Sequence, residues 1–199
     1  MLRTIVLLLL SLIALPIVAY WYDAPLQEAQ WAMIAQSSRL MLGVALLCFL
    51  VSEATRNYSQ VDKLWSIVPV IYAFYFAWSS GWDSRLTLMA LLAAAWGIRL
   101  TYNFARRGGY AWPLWAGEED YRWGVLREMP LLRGRWRWGL FNFFFISLYQ
   151  NTLIWLITLP AVVAFAGQGK PLQAFDLALA LLFLALLAIE TIADQQQYD

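Results

Sequence analysis

The chain alternates long apolar runs with short polar breaks. Six runs approach the roughly 20 residues that a helix needs to cross the roughly 30 Å hydrocarbon core of a bilayer. They lie near residues 4–21, 40–51, 64–78, 86–104, 140–165 and 172–193. The second and third are short by that measure, and are expected to tilt or to extend into their flanks. The pattern predicts an all-α, polytopic membrane helix bundle of about six transmembrane helices, a single membrane domain over residues 1–199, with one long extramembrane segment at 105–139. The first run follows Arg3, as the core of a secretory signal would. Bulky Tyr20, Trp21 and Tyr22, with no small-x-small cleavage site before them, favour a retained helix instead.

Composition supports the bilayer as solvent. Of 199 residues 62% are hydrophobic and 14% charged, well away from the averages of soluble domains. The basic residues set an expected orientation, because short loops rich in Lys and Arg stay cytoplasmic. Arg3, Arg56, Lys63 and the arginines from Arg106 to Arg137 fall on one side, against Arg39, Arg85 and Lys170 on the other. Both chain ends and the 105–139 segment are therefore expected in the cytoplasm. A formal charge of +1 disfavours nucleic acid as a partner. No oligomeric state is legible, and membrane lipids are the expected surroundings.

The chemistry open to the chain is narrowed by what it lacks. It has no histidine and one cysteine, Cys48, which removes imidazole catalysis, Ser-His-Asp triads, haem or zinc ligation by histidine, and intrachain disulfides. Neither a metal nor a haem is expected. The Gly167–Pro171 stretch lacks the strand, spacing and hydroxyl of a phosphate loop.

Polar residues within apolar runs are costly and call for a reason. Arg99 either snorkels its head to the interface or contacts an acid or ligand. Asn142 and Gln150, eight apart, share roughly one helical face, as interhelical hydrogen-bonding groups or as substrate contacts. Glu190 and Asp194, spaced i,i+4, repel each other unless a cation or ligand lies between them. Asp62 either caps the helix that follows it or belongs to a site. The seven arginines and five tryptophans of 105–139 read as a headgroup belt or as a cap over an anionic ligand, and these readings are compatible.

Several motifs, taken in order, carry a resemblance. They are Asp62-x-x-Trp65-Ser66-x-x-Pro69, Trp96-Gly97-x-Arg99-Leu100-x-Tyr102-Asn103, Glu119-Asp120-Tyr121-Arg122-Trp123, Phe141-Asn142-x-Phe144, Gln150-Asn151, Pro160 and Glu190-x-x-Ala193-Asp194-Gln195. From about Glu53 onward the chain resembles the uncharacterised membrane proteins allied to the steroid 5-alpha-reductases. Sterol reductases and isoprenylcysteine carboxyl methyltransferases belong to the same wider group.

The resemblance implies NADPH at the cytoplasmic end and an apolar, lipid-like substrate entering from the membrane. It implies catalytic roles for Asp62 and Arg99, with Asp62 a proton donor or positioning group at a substrate carbonyl. Glu190, Asp194, Gln195 and Arg107 would then meet the cofactor, and Trp65, Trp96, Asn142 and Gln150 the substrate. Trp96 stands where the reductases carry a tyrosine, which puts steroid itself in doubt as the substrate. The family also continues past its Asp-Gln segment to an Arg-His-Pro-Asn-Tyr-like motif and a Gly-Glu pair. This sequence ends at Asp199 without them, so a C-terminally truncated, incomplete cofactor pocket is expected. Two alternatives stand beside the reductase: an S-adenosylmethionine-dependent membrane methyltransferase, and a non-catalytic scaffold or lipid-binding protein.

Overall fold

The computed structural model describes residues 25–198 together with Ile17, Val18 and Trp21. The predicted run at 4–21 lies outside the described residues but for those three. The described residues are helical, without strands. In order, the helices are α1 (Glu28–Thr55), α2 (Gln60–Leu64), α3 (Val68–Ser79), α4 (Ser84–Arg106), α5 (Tyr121–Glu128) and α6 (Arg135–Phe141). A π-helical segment (Asn142–Tyr149) then runs into α7 (Gln150–Leu156), followed by α8 (Pro160–Ala164), a 3₁₀ turn (Phe165–Gly167) and α9 (Ala174–Tyr198). Among the described residues, four stretches are long and apolar enough to cross a membrane: Glu28–Thr55, Ser84–Arg106, Arg135–Gly167 and Ala174–Tyr198. The result is an all-helical membrane bundle.

Two boundaries differ from the sequence expectation for physical reasons. The run predicted at 40–51 is the second half of α1, whose first turns are rich in Ala, Gln and Ser. Their polar members face the bundle: Gln30 is buried and donates from Nε2 to the Val162 carbonyl at 2.7 Å. The buried Ser37 hydroxyl accepts the Trp155 indole N–H at 3.0 Å. Satisfied polar groups of this kind break a hydropathy run without breaking the helix. The run predicted at 64–78 is divided by a turn at 65–67, with Pro69 in the first turn of α3, where its missing N–H leaves no bond unmade.

The core lies between α1, α3, α4 and the 135–167 segment. Tyr72, Phe76, Leu86, Ile146 and Ile154 are fully buried in it. Helix α4 lies close against α3 and the turn before it at Gly97. A Cβ there would stand 2.5 Å from Val70 Cγ2 and 2.6 Å from the Ser66 carbonyl oxygen. One turn on, the Ser66 and Thr101 hydroxyls share a hydrogen bond of 2.7 Å.

The 105–139 segment, expected as a loop, contains α5 and the start of α6. The Asp120 carboxylate caps α5 by accepting the Arg122 N–H at 2.9 Å, and Trp123 buries its ring against the hub at 56–63. There the Ser59 hydroxyl accepts both the Asp120 N–H (2.9 Å) and the Trp123 indole N–H (3.1 Å). Glu119 accepts the Tyr58 N–H at 2.8 Å and pairs with Arg127. The ammonium of buried Lys63 donates to the carbonyl oxygens of Leu114 and Ala116. The segment is thus a folded cap.

Candidate functional site

Helix α4 presents the site. Its first half walls an apolar cavity of about 540 Å³ shared with α3, α8 and α9, lined by Ala73, Leu92, Trp96, Ala161, Ala180 and Phe183 among others. Arg85 and Asp176 stand at one end of this cavity, joined in a bidentate pair at 2.9 Å for each N–H donor. Trp96 lies toward the other.

One turn beyond Trp96, Arg99 reaches across to α9. It donates to Glu190 at 2.9 Å and to Asp194 at 2.6 Å. This answers the like-charge spacing of the two acids, because a guanidinium lies between them. The Arg99 side chain is largely shielded, Glu190 is 57% exposed, and the Arg99 Nε–H is buried without a partner. Arg106 completes the cluster. It donates to the Gln195 side-chain oxygen at 2.6 Å and the Asp194 carbonyl at 3.1 Å, and stacks over Tyr198 at 4.2 Å. Through Nε it also holds the Asn103 side-chain oxygen at 2.8 Å.

Asn103 leads to the second half of the site, a cavity of about 270 Å³ bounded by Asp62, Trp65, Ser66, Leu100, Phe104 and Arg107. One oxygen of Asp62 is buried there without a partner. Burial raises the Asp62 pKa above the ordinary carboxylate value, while Ser59 and Trp123 act in the opposite direction. A carboxyl in such a setting keeps its proton to higher pH, as a proton donor needs.

The sequence-predicted residues therefore divide into four sets. Arg99, Glu190, Asp194 and Gln195 meet in one cluster. Asp62, Trp65 and Arg107 meet around the smaller cavity, and Arg106, which sequence reasoning passed over, makes the contacts to the Asp194 segment. Trp96 lines the larger cavity. Asn142 and Gln150 are elsewhere: Asn142 is fully buried and donates to Glu53 at 2.9 Å.

The π-helical segment also alters the face that Asn142 and Gln150 were expected to share. Its wider turn brings Asn151, nine residues after Asn142, to full burial, while Gln150 is only partly buried. The Arg85–Asp176 pair and Lys63 were also missed. Only pairing across 91 residues or burial in three dimensions reveals them.

Among the described residues no cluster of acids or cysteine has the makings of a metal site. The polar side chains here could meet the groups of a dinucleotide. Glu190, Asp194 and Gln195 offer acceptors for ribose or amide hydrogens, Arg106 and Arg107 offer cations for phosphate, and the Arg99 Nε–H is a donor still to be satisfied.

No solved structure matches the chain. It is similar to an uncharacterized protein of Schizosaccharomyces pombe, 39% identical over 155 residues that make up 75% of this chain and 43% of the relative. The chain thus spans less than half the length of that relative. Residues 48–199 match the family described as Protein of unknown function (DUF1295), a span that takes in α2 to α9 and every residue of the two cavities and the arginine cluster, and the chain belongs to that family.

Proposed function

We propose that the chain is the substrate-binding and part of the cofactor-binding body of a membrane reductase of the steroid 5-alpha-reductase-like class, which reduces a carbon–carbon double bond conjugated to a carbonyl in a lipid. The observation that carries this reading is the Arg99–Glu190–Asp194 cluster, one helical turn beyond an apolar cavity of about 540 Å³ between helices. An apolar cavity with a few convergent polar groups at its end is the usual form of a lipid-ligand site. NADPH, when bound, supplies a hydride to the β carbon of the enone. Glu190, Asp194 and Gln195 hold its polar groups, and Arg106 and Arg107 neutralise its phosphates. Arg99 fixes the two acids in place. Asp62, protonated, hydrogen-bonds the substrate carbonyl or delivers the proton that the α carbon requires. Trp65 and Trp96 bound the space in which an apolar skeleton would lie. The charge bias supports a cytoplasmic side for the cluster, both chain ends and the cap.

The test uses the chain in lipid nanodiscs with NADPH and a panel of apolar enones, read by mass spectrometry for products heavier by two hydrogens and by NADPH fluorescence for binding. Turnover or saturable binding that Asp194→Asn weakens supports the reading. Absence of both overturns it in favour of a scaffold, and binding of S-adenosylmethionine in place of NADPH overturns it in favour of a methyltransferase.

A further inference from the structure

Five of the eleven described arginines are matched to acids. Arg56, Arg85, Arg99, Arg122 and Arg127 each have a carboxylate within ion-pairing distance. Arg133, Arg135 and Arg137 stand within five residues of one another and are exposed. Among the described residues they have no acidic partner, and Arg137 donates only to the Pro130 carbonyl at 3.3 Å. They occupy the point where the chain enters the 135–167 span. Beside them Leu131 and Trp136 are 79% and 85% exposed. Cations interleaved with exposed apolar side chains, at the mouth of a span, complement a surface that is both anionic and apolar.

That surface contains a shaped recess. Arg135 and Trp136 form the rim of a groove of about 430 Å³ whose walls are Phe49 of α1 with Gly139, Leu140 and Phe143. Its one acid, Glu53, is already engaged, accepting from Asn142 at 2.9 Å and pairing with Arg56 at 3.5 Å. Glu53 is thus balanced by Arg56, and Arg135 leaves the rim cationic. We propose that this groove seats an anionic phospholipid, with its phosphate on Arg135, in the field of the nearby Arg133 and Arg137, and one acyl chain along Phe49, Leu140 and Phe143. The groove lies on the α1–α6 side of the bundle, made of other residues than the α4–α9 cluster, and does not depend on what that cluster does.

The full chain in detergent is titrated with phosphatidylglycerol or phosphatidylcholine, and bound lipid is read by native mass spectrometry. Phosphatidylglycerol is expected to bind selectively. Arg135→Gln should weaken it about fivefold, and the triple change Arg133→Gln, Arg135→Gln, Arg137→Gln on the order of a hundredfold. Gly139→Leu separates a seat from mere surface charge. A Cβ at Gly139 meets nothing within 4 Å, so this variant should keep the parent's unfolding temperature and every arginine while losing the lipid. Equal binding of the two lipids overturns the proposal, as does undiminished binding by the Arg135→Gln or Gly139→Leu variant. Glycerol 3-phosphate competing as well as the intact lipid would also overturn it, by showing a soluble-anion site instead.

Discussion

Helices α4 and α9 are joined by arginine–carboxylate contacts at two places, and the two are built differently. At the first, Arg85 and Asp176 match fork to fork, each no more than 22% exposed. The Gln173 N–H adds a further donor to Asp176 at 2.9 Å. The turn beside them is tied down as well, by Gly169 N–H to Asp83 at 2.9 Å and by the Gln168 side chain to the Ser80 carbonyl at 2.6 Å. At the second, one guanidinium is divided between Glu190 and Asp194. One of its N–H groups is buried unpaired, and one of its acids is more than half exposed. A fully matched pair fixes geometry, whereas a cluster with unused donors and an open acid has capacity for a ligand. The first therefore acts as a clasp, and on the proposed reading the second is the receptor.

The widest disruption of this contrast comes from between the two. Gly97→Leu drives a side chain into Val70 and the Ser66 carbonyl, pushes α3 from α4, and should cost at least ~3 kcal/mol. Loss of the monodisperse folded fraction in size-exclusion chromatography would register it, and an unaltered profile would show that the helices separate freely. Next in size, Arg85→Ala leaves Asp176 unpaired beside an apolar cavity and should lower the unfolding temperature measurably. The exchange Arg85→Asp with Asp176→Arg should recover part of it. Asp194→Asn should hardly move the unfolding temperature, by under ~1 kcal/mol, yet weaken NADPH binding about tenfold. A fall in stability as large as that of Arg85→Ala would erase the distinction between clasp and receptor.

The smallest effect is in pH dependence. Because burial holds the Asp62 pKa above its ordinary 3.8, the native state keeps a proton that the unfolded chain has already released. Stability should therefore fall as pH rises from about 3.8 through the raised value, and stay lower above it. Asp62→Asn should flatten that part of the pH–stability curve, and an unchanged slope would place the proton elsewhere.

The long helices were legible because lipid-facing leucines write their pattern directly into hydropathy, as α4 and α9 show. Helix α1 was half hidden, since Gln30 and Ser37 spend their polarity on partners in distant segments. The spacing of Glu190 and Asp194 called for a cation or a ligand between them, and Arg99 supplies the cation. That the cation contacting the Asp194 carbonyl would be Arg106, with Arg107 turned to the Asp62 cavity, depends on the rotation of α4 against α9, which neighbouring arginines cannot encode. The register of Asn142, Gln150 and Asn151 was beyond reach for a similar reason. A π-helical segment changes which residues align, and aromatic-rich sequence gives no local sign of it.

The shortness of α3 has a bearing on the host membrane. Its 12 residues rise only about 18 Å, against about 35 Å for the 23 residues of α4. Beyond the first turn of α3, which lies against Gly97, α4 continues to Arg99, about 22 Å from its own start at Ser84. In a bilayer with a core of about 30 Å, the receptor then lies at the depth of the upper acyl chains and glycerol backbones. On the proposed reading, a lipid in the adjoining cavity need not be lifted out of its leaflet to meet the cofactor held there. Occupancy becomes a function of bilayer thickness: short-chain lipids would bring the headgroup plane down onto Arg99, and long-chain lipids would submerge it.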